Sequence, residues 1–307
     1  MDLKPSYDIL IPGHYFCDLI FTGIPAFPSL GSEIYCGDLA VVPGGIMNTV
    51  IALSRLGVNV GWLGQVGDDF FSRYILERAE AEGVDTSLLI RKNDPARRVT
   101  VSLSYPDDRA FVTYVDPAPK TVELMFGVLD RVETKHLHFA GLHVEQRMPE
   151  LLQECHARGI RVSMDCQHRD DTLDAPLVRA IIAGADLFMP NRKEAQQLTG
   201  APTLDAALDI LADVTPTVVI KNGAEGVVAR HQGQTYSVPA LPVTPVDTTG
   251  AGDVFNAGFL AALLGGQPFE ACLRWGVYCG SMSTLGPGGS STAPTRAQVE
   301  AWLRAGA

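Results

Sequence analysis

Short apolar runs alternate along the chain with longer segments whose apolar positions recur at a helical period. The runs at 7–11, 58–66, 136–139, 161–165, 186–189 and 218–221 predict strands. The segments at 47–56, 70–82, 149–158, 177–183, 192–199 and 206–213 predict helices. Gly57 and Gly83 stop the first two helices, as glycine commonly does at a helix C-terminus. Strands spaced by helices predict an α/β fold: a doubly wound, mostly parallel sheet with helices on both faces. After Pro294, Thr295-x-x-Gln298 fits a capping box that opens a terminal helix.

Two stretches break this rhythm. Residues 19–42 are rich in Pro and Gly, with short β-like pieces. Residues 99–115, VTVSLSYPDDRAFVTYV, alternate with period two around Pro106-Asp107-Asp108, a hairpin turn signal. Both lie early, inside the α/β part. They predict a small β-sheet lid inserted into the main domain and covering its edge. Its segments run from about 13–43 and 96–116, so residues 1–307 form a single domain. An inserted sheet leaves open edges, which makes a homodimer through paired lids an expectation.

Composition narrows the classes. The 307 residues are 46% hydrophobic and 19% charged, as expected of a globular chain with a sizeable core. The net charge of −11 argues against general binding of nucleic acid or anionic membrane. Phosphate chemistry must then rest on local dipoles and a few placed cations. No apolar run approaches the roughly 18 residues of a membrane span. The opening MDLKPSYDILIPG has no signal-peptide core. Six cysteines without a CxxC pair or zinc spacing read as reduced, mostly buried thiols. These signals together set a cytoplasmic expectation.

The candidate chemistry centres on PVDTTGAGDVFNAGF, residues 245–259. Gly250-Ala251-Gly252-Asp253 opens an apolar helix. A helix N-terminus offers free N–H groups and partial positive charge to an anion, and small residues let a phosphate approach. A carboxylate beside that cradle can accept a proton from a hydroxyl that attacks phosphorus. The plainer reading is a good first-turn Asp after a Gly turn. Gly44-Gly45-Ile46-Met47-Asn48 also sets glycines before a helix, and Asn48 can hold a sugar hydroxyl or simply cap a turn. Asn191 and Glu194 share one helix face, suited to Mg²⁺ or phosphates or to an ordinary cap. Lys221-Asn-Gly223-Ala-Glu-Gly226 ends a strand, where α/β sheets bind ligands, or makes an ordinary β-turn.

Other motifs fail. No GxGxxG spacing and no GxxxxGK[ST] is present. His136 and His138, with His143 beyond, suggest a metal cluster, yet no third ligand is evident. Asp165-Cys166-Gln167-His168 suggests a Cys/His nucleophile, yet no orienting group is identifiable.

Taken together and in this order, these stretches resemble the ribokinase-like, PfkB-type carbohydrate kinases nearly end to end. The most specific part is the run from Asp247 through Gly250 and Asp253 to Phe259. Gly44-Gly45-x-x-Asn48, Gly57, Gly67-Asp68-Asp69, Asn191-x-x-Glu194 and Lys221-x-Gly223-x-x-Gly226 fit around it. The resemblance implies transfer of the ATP γ-phosphate to a hydroxyl. Asp253 would be the base, and Gly250, Ala251 and Gly252 the anion hole. Asn191 and Glu194 would organise Mg²⁺ and phosphates through water. Lys221, Gly223 and Gly226 would line the nucleotide. Asp18, Gly44, Gly45 and Asn48 would hold the sugar. A K⁺ site would comprise Asp247, Thr249 and the loop 283–292, with Ser283, Gly286, Gly288 and Thr292.

The acceptor is less defined. A free monosaccharide is favoured. A nucleoside stacked on Tyr105, Phe111 and Tyr114, or a sugar phosphate met by Arg97 and Arg98, are the alternatives. A non-catalytic sugar- or nucleotide-binding relative and a nicotinamide-dependent oxidoreductase stand as other classes. Asp253 argues against the first and the missing dinucleotide fingerprint against the second.

Overall fold

The computed structural model describes residues 4–105, 109–167 and 169–305. Its large sheet has eight strands. In spatial order they are Gln234–Val238, Val227–His231, Thr217–Lys221, Leu187–Phe188, Arg161–Met164, His136–Phe139, Ile9–Pro12 and Val60–Leu63. All neighbours from Thr217–Lys221 onward pair in parallel, and the first two strands add as an antiparallel edge. The α/β, mostly parallel fold read from the sequence is therefore present.

The strands are apolar without interruption because each feeds two cores. Ile9, Ile11, Val60, Trp62 and Val219 face one cluster, together with the helices Met47–Arg55, Ala251–Leu264 and Phe269–Ser283. Leu10, Leu63, Val218 and Ile220 face the other, together with Met148–Ala157, Pro176–Ala183 and Leu204–Ala212. Helix Ala251–Leu264 is buried on nearly every side from Val254 to Ala262. Its neighbour Phe269–Ser283 comes so close that a Cβ on Gly258 would lie 2.7 Å from Cys279 Sγ.

Four strands, Asp38–Gly45, Tyr15–Thr22, Arg98–Ser104 and Arg109–Val115, form a separate sheet in that order. Tyr15–Thr22 pairs antiparallel with Asp38–Gly45 and parallel with Arg98–Ser104. The antiparallel pair Arg98–Ser104 and Arg109–Val115 flanks the expected turn, whose residues Pro106, Asp107 and Asp108 lie outside the described residues.

Some boundaries differ from the sequence reading. The run 58–66 divides at Gly64, where a Cβ would lie 2.6 Å from the Gly13 carbonyl oxygen. Beyond it, Gln65–Val66 pairs with Ile90–Arg91 instead of extending the large sheet. The edge hairpin turns through Gln232 (φ 50°) and Gly233 (φ 76°), a two-residue turn with both centres left-handed. No described helix is long and apolar enough to cross a membrane. The six cysteines are free thiols.

Candidate active site

The parallel strands aim their carboxyl ends at one region, and the predicted residues gather there. Helix Ala251–Leu264 begins at Gly250, which adopts φ 71°. Glycine is needed for space as well as for that backbone: a Cβ would lie 2.6 Å from Asn48 Nδ2 and 2.7 Å from Gly289 Cα. Asp253 sits in the first turn, partly exposed. Asn48, from the start of helix Met47–Arg55, donates its Nδ2 hydrogen to Asp253 Oδ2 at 3.1 Å. Burial, then the charge of Asp165, push the Asp253 carboxyl up to about 6, while the Asn48 hydrogen bond and Lys221 pull the other way.

Asp18 reaches the same space from strand Tyr15–Thr22. A Cβ at Gly44 would lie 1.9 Å from Asp18 Oδ2, so the glycine of the adjacent strand makes room for this carboxylate. Asp18 is 9% exposed, and its carboxyl is pushed up to about 7 by burial, then by the charges of Asp253 and Asp247.

Lys221 ends its strand and donates to Asp165 Oδ2 at 2.6 Å and to Asn256 Oδ1 at 3.3 Å. Asn256 Nδ2 donates to the same Asp165 oxygen at 2.5 Å. A Cβ on Gly252 would be 3.4 Å from Lys221 Nζ, so the ammonium lies directly beside the glycine cradle. Asp165 and Asn256 were missed as site residues. Asn256 stands one turn beyond Asp253 within the same motif, which was the available signal. Asp165 was read only with Cys166 and His168. His168 lies outside the described residues, and burial pushes the Cys166 thiol well up, opposite to what a nucleophile needs.

Asn191 and Glu194 bind each other as a reciprocal cap: Glu194 N–H donates to Asn191 Oδ1 at 3.0 Å and Asn191 N–H to Glu194 Oε2 at 2.8 Å. Glu194 still lies close enough for its charge to act on Asp253. Gly223 opens a short 3₁₀ turn, and a Cβ on Gly226 would lie 2.1 Å from the Val238 carbonyl oxygen.

Asp247 Oδ1 accepts from Thr249 N–H at 2.9 Å and from Thr249 Oγ1 at 2.7 Å, and Asp247 Oδ2 accepts from Gly288 N–H at 2.9 Å. Thr292 Oγ1 donates to the Ser283 carbonyl at 2.9 Å, and Gly286 packs against Thr292. Arg109, from the four-stranded sheet, was not foreseen. It donates to Asp247 Oδ1 at 2.9 Å, to Thr248 Oγ1 at 3.0 Å and also to Thr249 Oγ1. A guanidinium therefore already faces the two side-chain oxygens that the resemblance assigns to K⁺.

His136 Nε2 and His138 Nδ1 share Ser163 Oγ at 2.7 and 2.8 Å, and burial holds both rings neutral, down to about 3 and about 4. Among the described residues, no group of three or more His, Cys, Asp or Glu is placed to hold a metal ion. Tyr105 stacks on Phe27 with ring centroids 6.0 Å apart, whereas Phe111 and Tyr114 are exposed rather than packed as a sheet core.

Residues 21–296 match the pattern of the pfkB family of carbohydrate kinases. The chain is 29% identical to a ribokinase of Bacillus subtilis over 96% of this chain and 99% of that one. It is 27% identical to a fructokinase of Vibrio alginolyticus over 85% and 92%. The fold superposes on the Arabidopsis thaliana ribokinase with a TM-score of 0.78 at 20% identity, covering 98% and 99% of the two chains. With a match across most of its length and a glycine-opened helix carrying Asp253 among the carboxyl ends of the sheet, this chain belongs to the pfkB family of carbohydrate kinases, ATP-dependent phosphotransferases that act on an alcohol group.

Proposed function

We propose that this protein transfers the ATP γ-phosphoryl group to a hydroxyl of a small carbohydrate, with Asp253 as the base. The observation that carries this reading is the Asp253 carboxyl at the helix N-terminus, held by Asn48 and pushed up to about 6. A base with that affinity for protons is ionised at neutral pH yet takes a proton more readily than an ordinary carboxylate.

ATP with Mg²⁺ would supply the phosphoryl group and neutralise charge on it. Related structures contain ribose with ATP, ATP with Mg²⁺, and fructose with ADP and potassium. The backbone N–H groups at Gly250, Ala251 and Gly252 point along the helix axis toward an approaching anion. Lys221, fixed by Asp165 and Asn256, adds a placed cation beside them. Glu194 would meet Mg²⁺ through water, with Asn191 holding its orientation. Gly223 and Gly226 would shape the turn that lines the nucleotide. Asp18, over Gly44 and near Gly45, and Asn48 would hold the acceptor hydroxyls. The four-stranded sheet would act as a lid that keeps water from competing as acceptor. Residues 1–307 would work as one domain with lid segments 13–43 and 96–116.

The test is ADP release from ATP–Mg²⁺ across a panel of sugars, sugar phosphates and nucleosides. One acceptor should accelerate release, and Asp253→Asn should abolish nearly all of it while nucleotide binding persists. Wild-type turnover in Asp253→Asn would remove the base assignment.

A further inference from the structure

Arg98, which the sequence paired with Arg97 as an alternative contact for a sugar phosphate, has no part in the proposed phosphoryl transfer. Its side chain is 1% exposed, and none of its guanidinium nitrogens has a hydrogen-bond partner among the described residues. Arg97, next to it, shows the ordinary arrangement. Its backbone N–H, Nε and Nη2 donate to Asp116 at 2.8, 2.9 and 3.1 Å, and Tyr114 donates to the same carboxylate at 2.8 Å. Asp116 is thereby taken, and acts on Arg98 only by charge at longer range. A guanidinium stays protonated in proteins, and shutting one away from water without a partner is costly. Such a group calls for a partner that the described residues do not supply.

Its position indicates which ligand. Side chains alternate along a strand, so Arg98, Thr100 and Ser102 share one face. Thr100 stands opposite Asp18 in the parallel register, so this face is the one that carries Asp18. Further buried atoms lack partners as well: His14 Nδ1, whose ring feels the Arg98 charge, and both amide atoms of Gln65, which is 0% exposed. The segments that carry them touch. A Cβ at Gly64 would lie 2.6 Å from the Gly13 carbonyl, and one at Gly67 2.4 Å from Ala96 N. His14 and Gln65 follow directly on the carboxyl ends of strands Ile9–Pro12 and Val60–Leu63, where this architecture places ligands. Neither Asp18 nor Asp253 is among the charges that act on Arg98.

We propose that the acceptor is a sugar bearing an oxyanion, and that Arg98, with Gln65 and His14 beside it, receives that group while Asp18, Asn48 and Asp253 hold the hydroxyl end. This rests on the kinase reading above. The planar guanidinium presents paired donors that match a phosphate or carboxylate, and the Gln65 amide adds another. A neutral sugar would leave these buried groups unpaired, and a site built that way rejects it.

The experiment measures ADP release for matched acceptors: ribose against ribose 5-phosphate, fructose against fructose 6-phosphate, and glucose against gluconate. These pairs also separate a phosphate from a carboxylate. In at least one pair the anionic member should be favoured in kcat/KM by about 100-fold or more. Arg98→Met should bring that ratio close to one, mainly through KM for the acceptor, with KM for ATP unmoved, and Arg98→Lys should restore part of it.

A second readout needs no turnover. Arg98→Met removes an unpaired buried charge, so the ligand-free variant should melt at a higher temperature than wild type. The favoured anionic sugar should raise the melting temperature of the wild type and not that of the variant. A lower melting temperature in Arg98→Met, or preference for the neutral member in every pair, overturns the proposal. Selective stabilisation by an anionic sugar without ADP release upholds Arg98 and overturns the kinase reading. Turnover of a neutral sugar with no better binding of the anions does the reverse.

Discussion

Asp253 and Asp247 stand near enough for their charges to act on the buried carboxyl of Asp18, the kind of like-charge crowding that functional sites often carry. The cost has a definite sign. The folded-state carboxyl of Asp18 is raised to about 7, so it is protonated and neutral in the folded protein at pH 5. As pH rises through 7, ionisation is forced on a buried group and stability is lost. Asp18→Asn should therefore raise the ligand-free melting temperature by several degrees at pH 8.5 and by much less at pH 5, when thermal unfolding is followed at both. Equal shifts at the two pH values would make burial, not charge, the cause. Turnover should fall as pH drops through about 6, where Asp253 gains its proton. The residues legible in the sequence were those whose signal is local: Gly250, Asp253 and Asn48 each sit in a short glycine-bearing motif. Asp165 and Arg109 escaped because their partners lie 56 and 138 positions away, a separation that no motif records, whereas Asn256 stood inside the glycine motif.

Element by element, six of the eight strands of the large sheet were readable from period and punctuation, while their ends were set by neighbours. Gly64 ends a strand because another backbone passes there, and the hairpin at Gln232 and Gly233 was missed although Gln-Gly between two apolar runs is a weaker form of a known turn signal. Asn191 and Glu194 prove to cap their helix, so their use toward a nucleotide must be compatible with that cap. Arg109 links two elements, strand Arg109–Val115 and the turn at Asp247–Thr249. A monovalent cation can take those oxygens only when the arginine withdraws, because the two positive charges compete. Arg109→Ala should lower the K⁺ concentration that half-activates ADP release, read from K⁺ titrations at constant ionic strength. The same concentration in both proteins would separate Arg109 from the cation site.

For the whole molecule, the four-stranded sheet has one face toward the carboxylates and one face away. On the outward face Val41, Leu19, Val101 and Val112 line up across all four strands. Val112 is 65% exposed and Val41 38%, so this apolar row is uncovered in the single chain. We propose that a second copy covers it, joining two lids. Sedimentation should show a dimer for the wild type and a monomer for Val112→Glu, and an unchanged dimer in the variant would place the contact elsewhere. The sequence showed the alternation of these residues without showing which face turned outward, because that depends on how the insertion meets the main sheet.

The register between strands Tyr15–Thr22 and Arg98–Ser104 also bears on how such a protein diversifies. Position 18 is locked opposite position 100, so positions 98, 100 and 102 share the face that carries Asp18 while 99 and 101 face the other way. On the acceptor proposal above, substitutions at the even positions would change what the protein accepts while leaving the helix that carries Asp253 untouched. On the dimer proposal, substitutions at the odd positions would change assembly without touching the Asp18 face. The two proposed roles share one strand and remain separable, because a β-strand keeps its odd and even residues on opposite sides.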